Sequence, residues 1–272
     1  MAIFTVDKEK CQKDGICAAV CPRGLIEFTK NQPPRPVAKA DELCLNCGHC
    51  LAACPNGALS LAKMPVAGCP PVNSNLALTP EHAEHFLRSR RSIRVFRPQP
   101  VPRDQITRLI EIARFAPSGH NAQPVRWMVF SDAARIERLA GLVIDWMREK
   151  IAQHDEMVKV LDMEHWVGQW EAGRDVILRK APVLIVTHGL ESLRTQCASI
   201  IALAYLELAA PSLGLGGCWA GFLNAAANDF KPLEKELALP AGHKTYGSMM
   251  LGYPRYAYHR LPLRNKPPIA WR

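Results

Sequence analysis

The sequence has 272 residues, enough for one large domain or two smaller ones, and 48% of them are hydrophobic, which is enough for a packed core. The formal net charge is +9, but no Lys/Arg-rich run is interleaved with aromatic residues, so we expect no nucleic-acid partner. The first residues lack the basic and long apolar regions of a secretion signal. We therefore expect a cytoplasmic protein, in which ten cysteines indicate metal binding rather than disulfides.

The most apolar stretch, residues 199–222, contains the charged residue Glu207 together with Pro211 and four glycines. A membrane-spanning helix needs about 20 consecutive, predominantly apolar residues. We therefore expect a buried core helix that ends near Pro211, and no membrane partner.

Two related cysteine runs lie near the start of the chain. The later run has the pattern C-x2-C-x2-C-x3-C-P, and its cysteines are Cys44, Cys47, Cys50 and Cys54. The earlier run has the same spacing with an aspartate in the second position, and consists of Cys11, Asp14, Cys17 and Cys21. This spacing is typical of bacterial iron–sulfur proteins, in which a short loop supplies three thiolates and the fourth cysteine ligates the other cluster. The alternatives are a zinc site, whose cysteine pairs are usually farther apart in sequence, and a disulfide framework.

The two runs, with the residues between them, resemble two-cluster bacterial-type ferredoxins over about residues 3–63. The resemblance implies crossed ligation of two [4Fe-4S] clusters. Cluster one would be bound by Cys11, Asp14, Cys17 and Cys54. Cluster two would be bound by Cys21, Cys44, Cys47 and Cys50. A carboxylate is a harder ligand than a thiolate, so we expect cluster one to lose the iron at Asp14 and become [3Fe-4S]; the alternative is that Asp14 is a solvated turn residue.

Residues 64–80 are rich in proline and glycine, which predicts an extended linker. Cys69 in this stretch is either a free thiol or a substitute for the cysteine missing at Asp14. We therefore divide the chain into a ferredoxin domain at 1–63, a linker at 64–80 and a second domain at 81–272.

The second domain mixes predicted helices and strands, which indicates an α+β fold. Thr79 followed by Pro80 is typical of a helix start, and Asp104 opens another helix. The remaining predicted helices cover 133–152, about 157–180, and a segment ending near 208. The predicted strands are 126–130, 182–187, 218–222 and 246–253.

Four motifs of the second domain are candidates for binding a cofactor. The first, R-R-S-I-R, can grip a phosphate through Arg90, Arg91, Ser92 and Arg94. The second, P-S-G-H-N-A-Q-P, forms a loop with Pro117, Ser118, Asn121 and Gln123. The third contains Gly216 and Gly217 but is not G-x-G-x-x-G, because Trp219 occupies the last glycine position. The fourth is basic and contains Arg264 and Lys266. Taken singly, the first motif is also compatible with a solvated cluster of arginines, and the second with an ordinary helix–strand turn.

In this order and spacing the four motifs resemble the nitroreductase family of FMN-dependent oxidoreductases, over about residues 81–272. The resemblance implies a central, mainly antiparallel sheet flanked by helices, and an FMN site at a homodimer interface. Arg90, Ser92 and Arg94 would hold the phosphate and ribityl chain, with Arg91 contributing its backbone. Pro117, Ser118 and Asn121 would line the flavin, and Gln123 would orient their loop. Gly216 and Gly217 would offer a backbone amide to flavin N5, and Arg264 and Lys266 would close on the phosphate.

The region 145–175 occupies the variable lid position of that family and contains His154, His165, Trp166 and Trp170. The two tryptophans, four residues apart, either pack against the core or stack on a substrate. Cys197 and Cys218 are expected to be core thiols, because no neighbouring base is visible.

Iron–sulfur clusters carry one electron at a time, and FMN takes one or two. We therefore expect an iron–sulfur flavoprotein oxidoreductase that passes electrons through FMN to a small electron-poor acceptor such as a nitroaromatic or a quinone. The expected donor is reduced ferredoxin, flavodoxin or NAD(P)H. The alternative is a non-catalytic electron carrier or redox sensor.

Overall fold

The computed structural model describes residues 3–272 and divides the chain into two compact units. The first unit contains the residues up to Ala77 together with the short segment His120–Ala122. The second unit contains Leu78–Gly119 and Gln123–Arg272. Met1 and Ala2, where the first domain was expected to begin, lie outside the described residues.

The first unit consists of two small antiparallel sheets and three short helices. One sheet pairs β1 (Phe4–Val6) with β4 (Leu59–Leu61), and the other pairs β2 (Ile26–Glu27) with β3 (Arg35–Pro36). The helices are α1 (Ile16–Ala19), α2 (Ala40–Leu43) and α3 (His49–Ala52). Pairing of the first strand with the last closes this unit, and its buried core includes Phe4, Leu51 and Leu59.

Residues 64–77 belong to the first unit, whereas the sequence predicts a separate linker there. Met64 and Val66 pack against the core of the first unit, and the backbone N–H of Val66 donates to Ser60 Oγ at 3.1 Å. The apolar side chains among the prolines explain the difference, because they cover a core too small to bury itself.

The second unit contains a sheet of four strands and eight helices among the described residues. The strands are β5 (Arg126–Phe130), β6 (Val183–Leu190), β7 (Gly216–Trp219) and β8 (His243–Gly252). The helices are α4 (Pro80–Ser89), α5 (Arg103–Ala113), α6 (Ala133–Ala152), α7 (Met157–Val160), α8 (Met163–Glu171), α9 (Leu193–Ala209), α10 (Gly221–Ala227) and α11 (Lys231–Leu237). The chain also has short 3-10 turns. Those at Val66–Gly68 and Ser74–Leu76 lie in the first unit, and the turn at Ala210–Leu213 lies in the second. A further 3-10 turn covers Gly119–Asn121.

The sheet has the strand order β5-β6-β8-β7, and every neighbouring pair is antiparallel. Successive residues of a strand face opposite sides. Leu184 and Val186 belong to the core cluster that includes residues of α6, α8, α10 and α11. Val183 and Ile185 belong to the cluster that includes residues of α5 and α9. Helices therefore cover both faces of the sheet, which confirms the α+β fold.

Helix starts follow the predicted chemistry at several positions. Thr79 Oγ1 accepts a hydrogen bond from the N–H of His82 at 3.2 Å, with Pro80 as the first helical residue. Asp132 Oδ1 accepts from the N–H of Arg135 at 2.7 Å and begins α6 over the predicted range.

The prediction of one long helix over 157–180 is wrong. The structure has two short helices there, separated by Asp162 in the left-handed conformation (φ 51°), and residues 174–182 are irregular. Helix α8 ends at Glu171, and Gly173 follows it in the left-handed conformation (φ 78°) that is typical of helix ends. Beyond it, the carboxylate of Asp175 accepts the N–H groups of Ile177, Leu178 and Lys180, which competes with helical hydrogen bonding there. The strand predicted at 218–222 is also shifted: β7 ends at Trp219, and Gly221 begins α10.

Helix α9 has apolar residues on both faces. Its inner face contributes Leu203 and Leu206 to the core, while Leu193, Ile200 and Tyr205 are exposed. Residues 193–213 are long and apolar enough to cross a membrane by length and composition alone, a test that the core helix of a soluble protein also passes.

Candidate cofactor-binding sites

The predicted cluster ligands of the first unit line two separate cavities. One cavity is lined by Cys21, Cys44, Cys47 and Cys50. The other is lined by Cys11, Asp14, Cys17 and Cys54. The backbone thus brings the fourth cysteine of each run to the three ligands of the other run, which is the crossed arrangement that the ferredoxin resemblance implies.

Two glycines in equivalent positions of the runs make this arrangement possible. Gly15 and Gly48 precede α1 and α3, and both have left-handed backbone angles (φ 76° and 75°) that favour glycine. At Gly15 a Cβ would lie 2.7 Å from the ring of Phe28. The chain can therefore wrap back toward the cavity at the same point of each run.

Backbone N–H groups point at the sulfur atoms of several ligands. Cys21 Sγ accepts from the N–H of Leu25 at 3.3 Å, and Cys54 Sγ accepts from the N–H of Ala58 at 3.2 Å. The N–H of Asn46 donates to Cys44 Sγ at 3.4 Å. Such bonds stabilise negative charge on sulfur and help to set the reduction potential of a bound cluster. The donor set fits iron–sulfur clusters on this ground.

The ligands of each cavity are spread out rather than focused on one point. Within residues 3–272, no three His, Cys, Asp or Glu side chains converge as the ligands of one metal ion would. A cubane instead takes one protein ligand for each of its irons. Burial raises the pKa of the Cys17 thiol, and it raises that of Cys50 to about 11, so metal binding must displace a proton from each.

Asp14 lines the same cavity as Cys11, Cys17 and Cys54, and it is exposed to solvent. Its Oδ1 accepts a hydrogen bond from the N–H of Ile16 at 3.1 Å. Cys69 is elsewhere: its Sγ is 3.6 Å from the carbonyl oxygen of Pro65, and it lines neither cavity. The cavity of cluster one is therefore lined by Asp14 and not by Cys69.

An arginine-rich cavity of about 430 Å³ lies in the second unit. Its lining includes Arg90, Arg91, Arg97 and Arg255, together with the backbone of Gly216 and Gly217. The Nε of Arg91 is buried and has no hydrogen-bond partner in the structure. Four arginines around one cavity fit an anionic group such as a phosphate.

Glu207 organises one side of this arginine-rich cavity. Its carboxylate is buried, with Oε1 2.8 Å from an Arg90 guanidinium nitrogen and Oε2 accepting from Trp219 Nε1 at 3.0 Å. A buried carboxylate needs such partners, because an unpaired one is strongly destabilising. Glu207 therefore fixes Arg90 at the cavity wall and ties it to the strand β7.

A second cavity, of about 540 Å³, receives the other end of the arginine motif. Arg94 and Arg179 line it with Trp166, Trp219 and the backbone of residues 220–221. Cys218 also lies there; burial raises the pKa of its thiol, so it is a neutral core thiol as expected.

Cys197, in contrast, is exposed on α9, and the expectation that it is a core thiol is wrong, because it falls on the outer face of that helix.

The two lid tryptophans pack against the core, as one of the two alternatives predicts. Trp166 lies 5.9 Å from the ring of Phe222, and its Nε1 donates to the carbonyl of Leu161 at 2.9 Å. Trp170 is partly buried against the same core. Trp166 also lines the second cavity. Its packing against the core therefore holds the indole ring in place at the wall of that cavity. His165 meets Trp166 edge-on, and His154 is exposed.

Other residues assigned by resemblance lie outside these cavities. Pro117 is exposed, and Ser118 Oγ accepts from the N–H of Gln123 at 3.0 Å. Arg264 and Lys266 are exposed in the irregular C-terminal segment. Their roles toward a flavin remain predictions.

Sequence reasoning missed Glu207, Trp219, Arg97, Arg179 and Arg255 as residues of the two cavities. A signal existed for Glu207, because a lone carboxylate in an apolar run needs a buried partner. Arg255 carried no such signal, since its place depends on the antiparallel bridge between Phe96 and Pro254, far apart in sequence. Gly216 and Gly217 have a packing role as well: an added Cβ would lie 2.3 Å from Ile93 and 2.7 Å from Met249, respectively.

Two family models match the sequence. The model of the nitroreductase family matches residues 87–253, and that of the 4Fe-4S dicluster domain matches residues 6–58.

Known proteins resemble the second unit in sequence and fold. The NADH dehydrogenase of Thermus thermophilus is 30% identical over 67% of this chain and 92% of its own length. The iodotyrosine deiodinase of Thermotoga neapolitana is 25% identical over 61% of this chain and 86% of its own. The crystal structure of a nitroreductase with bound FMN from Bacteroides fragilis has a TM-score of 0.53 and 21% identity, and covers 69% of this chain and 94% of its own. This last likeness shows the fold.

Glu207→Gln tests the role of the buried carboxylate. Removing one partner of a buried ion pair costs about 3–5 kcal/mol. Because the Arg90 side chain is 29% exposed, we expect a smaller loss of unfolding free energy, roughly 2 kcal/mol. Denaturant unfolding measured by circular dichroism checks this value.

Glu236→Gln is the matched control, because Glu236 pairs with Arg138, whose side chain is 70% exposed. Exposed pairs contribute at most about 1 kcal/mol. Equal losses in the two variants would contradict the role given to Glu207.

Proposed function

Because the chain belongs to the nitroreductase family and carries a 4Fe-4S dicluster domain ahead of it, we propose that it passes electrons from its clusters, or from NAD(P)H, through FMN to a small electron-poor organic acceptor. The chain is an oxidoreductase of the nitroreductase family. We assign FMN to it because solved structures of the same fold contain bound FMN. The acceptor we favour is a nitroaromatic or a quinone. The single observation that carries the proposal is that one chain combines two cavities for cluster ligands with an arginine-rich cavity in a nitroreductase fold.

The residues of the second unit have distinct tasks in this proposal. Arg90, held by Glu207, and Arg91 supply positive charge for the FMN phosphate. Ser92 and Arg94 extend the motif toward the second cavity, where Arg94 and Trp219 line a space suited to a flat ring. The bound flavin supplies one- or two-electron chemistry, which lets it connect one-electron clusters to a two-electron acceptor.

The electron donor is either NAD(P)H or a reduced ferredoxin or flavodoxin. The similarity to an enzyme named NADH dehydrogenase supports a nicotinamide donor. The dicluster domain supports entry of electrons one at a time through the clusters.

Steady-state turnover tests the function and separates the donors. We expect the reduced holoprotein to be reoxidised by nitroaromatic or quinone acceptors, in contrast to a mere carrier or redox sensor. Cys47→Ser removes a thiolate from the proposed cluster two, so turnover with reduced ferredoxin should fall at least tenfold while turnover with NAD(P)H is retained. Cys69→Ser, at a cysteine that lines neither cluster cavity, is the control. Reduced protein that no such acceptor reoxidises would exclude the enzymatic reading.

For cluster one we propose that Asp14 is a ligand and that its iron is labile. The support is its place in the cavity with Cys11, Cys17 and Cys54, and the weaker affinity of a carboxylate for iron. The protein as isolated should show the EPR signal of a [3Fe-4S] cluster, which disappears when ferrous iron and reductant are added. In Asp14→Cys the [4Fe-4S] form should be present from the start. A [3Fe-4S] signal unchanged in that variant would rule out Asp14 as the ligand.

We further propose that the chain forms a homodimer in which α9 is covered. A helix that is apolar on both faces is normally buried on both, yet Leu193 is 75% exposed and Ile200 and Tyr205 lie on the same outer face. Light scattering should give twice the chain mass for the holoprotein. Ile200→Asp should shift it to the monomer, whereas Val160→Asp, at an exposed residue of α7, should not. A monomeric wild-type holoprotein would refute the dimer.

A further inference from the structure

The segment His120–Ala122 belongs to the first unit, although it lies far along the sequence from the rest of that unit. The Nδ2 of Asn121 donates to the carbonyl oxygen of Leu45 at 3.2 Å and to that of Asn46 at 3.0 Å. Leu45 and Asn46 are the two residues between the ligands Cys44 and Cys47. One side-chain amide thus holds both peptide carbonyls of a ligand loop.

The loop held by Asn121 has a strained backbone and a direct bond to a ligand sulfur. Asn46 has a left-handed backbone angle (φ 48°), its N–H donates to Cys44 Sγ at 3.4 Å, and its Nδ2 donates to the carbonyl of Cys44 at 3.4 Å. The orientation of this peptide decides whether the N–H points at the sulfur. Fixing the carbonyls at 45 and 46 therefore fixes a hydrogen bond to the thiolate.

The clamping segment is itself strained. His120, Asn121 and Gln123 all have positive φ angles (56°, 52° and 47°), which are uncommon outside glycine. Strained backbone persists where its surroundings determine it, and it marks candidate functional positions. Ser118 Oγ, which accepts the N–H of Gln123, helps to close the segment.

The internal repeat offers a comparison. Lys13 occupies in the first run the position that Asn46 occupies in the second, and it has the same type of backbone (φ 55°). The amide near that run is Asn56, whose Nδ2 donates to the carbonyl of Lys10 at 3.1 Å. Asn56 thus contacts the residue before Cys11, whereas Asn121 contacts the interior of the Cys44–Cys47 loop.

We propose that Asn121 is a positioning residue for cluster two and raises its reduction potential through the N–H of Asn46. A hydrogen bond to sulfur stabilises the reduced, more negative cluster. The inference rests on the assignment of Cys21, Cys44, Cys47 and Cys50 to cluster two. It differs from the role that the family resemblance implies for Asn121, which is contact with the flavin.

The test is a redox titration of the anaerobic holoprotein, followed by EPR, for wild type and Asn121→Ala. The two cluster signals are assigned with Cys47→Ser and Asp14→Cys. We expect the ratio of reduced to oxidised cluster two at a fixed potential to fall about tenfold, which is a shift of about 59 mV to lower potential for a one-electron couple. Cluster one should be unchanged. In the matched control Asn56→Ala, cluster two should be unchanged.

Loss of cluster two alone, with half the acid-labile sulfide retained, would also support a positioning role for Asn121. If Asn121→Ala does not fold, Asn121→Leu is measured instead, because leucine has a similar size but neither a donor nor a charge. An unchanged potential of cluster two, an equal shift of both clusters, or weaker FMN binding with unchanged clusters would overturn the proposal. Wild-type protein without clusters would instead refute the proposed function.

Discussion

The first unit depends on where two short ligand loops place their sulfur atoms. Each loop turns at a left-handed glycine, Gly15 or Gly48, and each sends its last cysteine to the opposite cavity. The small core around Phe4 and Leu59 is closed by pairing the first strand with the last. Because so little apolar surface is buried, we infer that cluster binding contributes much of the stability of this unit.

The second unit uses a different principle, a buried ion pair that positions a cationic site. Glu207 is held between Arg90 and Trp219, so an element of the core sets the orientation of an arginine at the cavity wall. A buried ion pair does little for stability compared with an apolar core. Its value here is positional, because it holds the Arg90 guanidinium at the wall of a cavity that Arg91 also lines.

The ferredoxin-type domain, the α+β class and most helices and strands could be predicted, because their signals are local. The cysteine runs, the cap at Thr79 and the continuous apolar run of β6 each lie within a few residues. The pairing of Glu207 with Arg90, 117 residues apart, and the contact of Asn121 with Leu45 depend on tertiary structure that no local pattern encodes. The irregular stretch at 174–182 was missed because the Asp175 carboxylate competes for backbone N–H groups and overrides helical periodicity.

One chain of this protein should hold two iron–sulfur clusters and a flavin. The decisive measurement is the iron, acid-labile sulfide and flavin content of anaerobically purified protein. We expect iron and sulfide sufficient for two clusters, less one iron where Asp14 is the ligand, and one FMN per chain. Protein that lacks labile sulfide, or that releases no yellow chromophore on denaturation, would contradict this expectation.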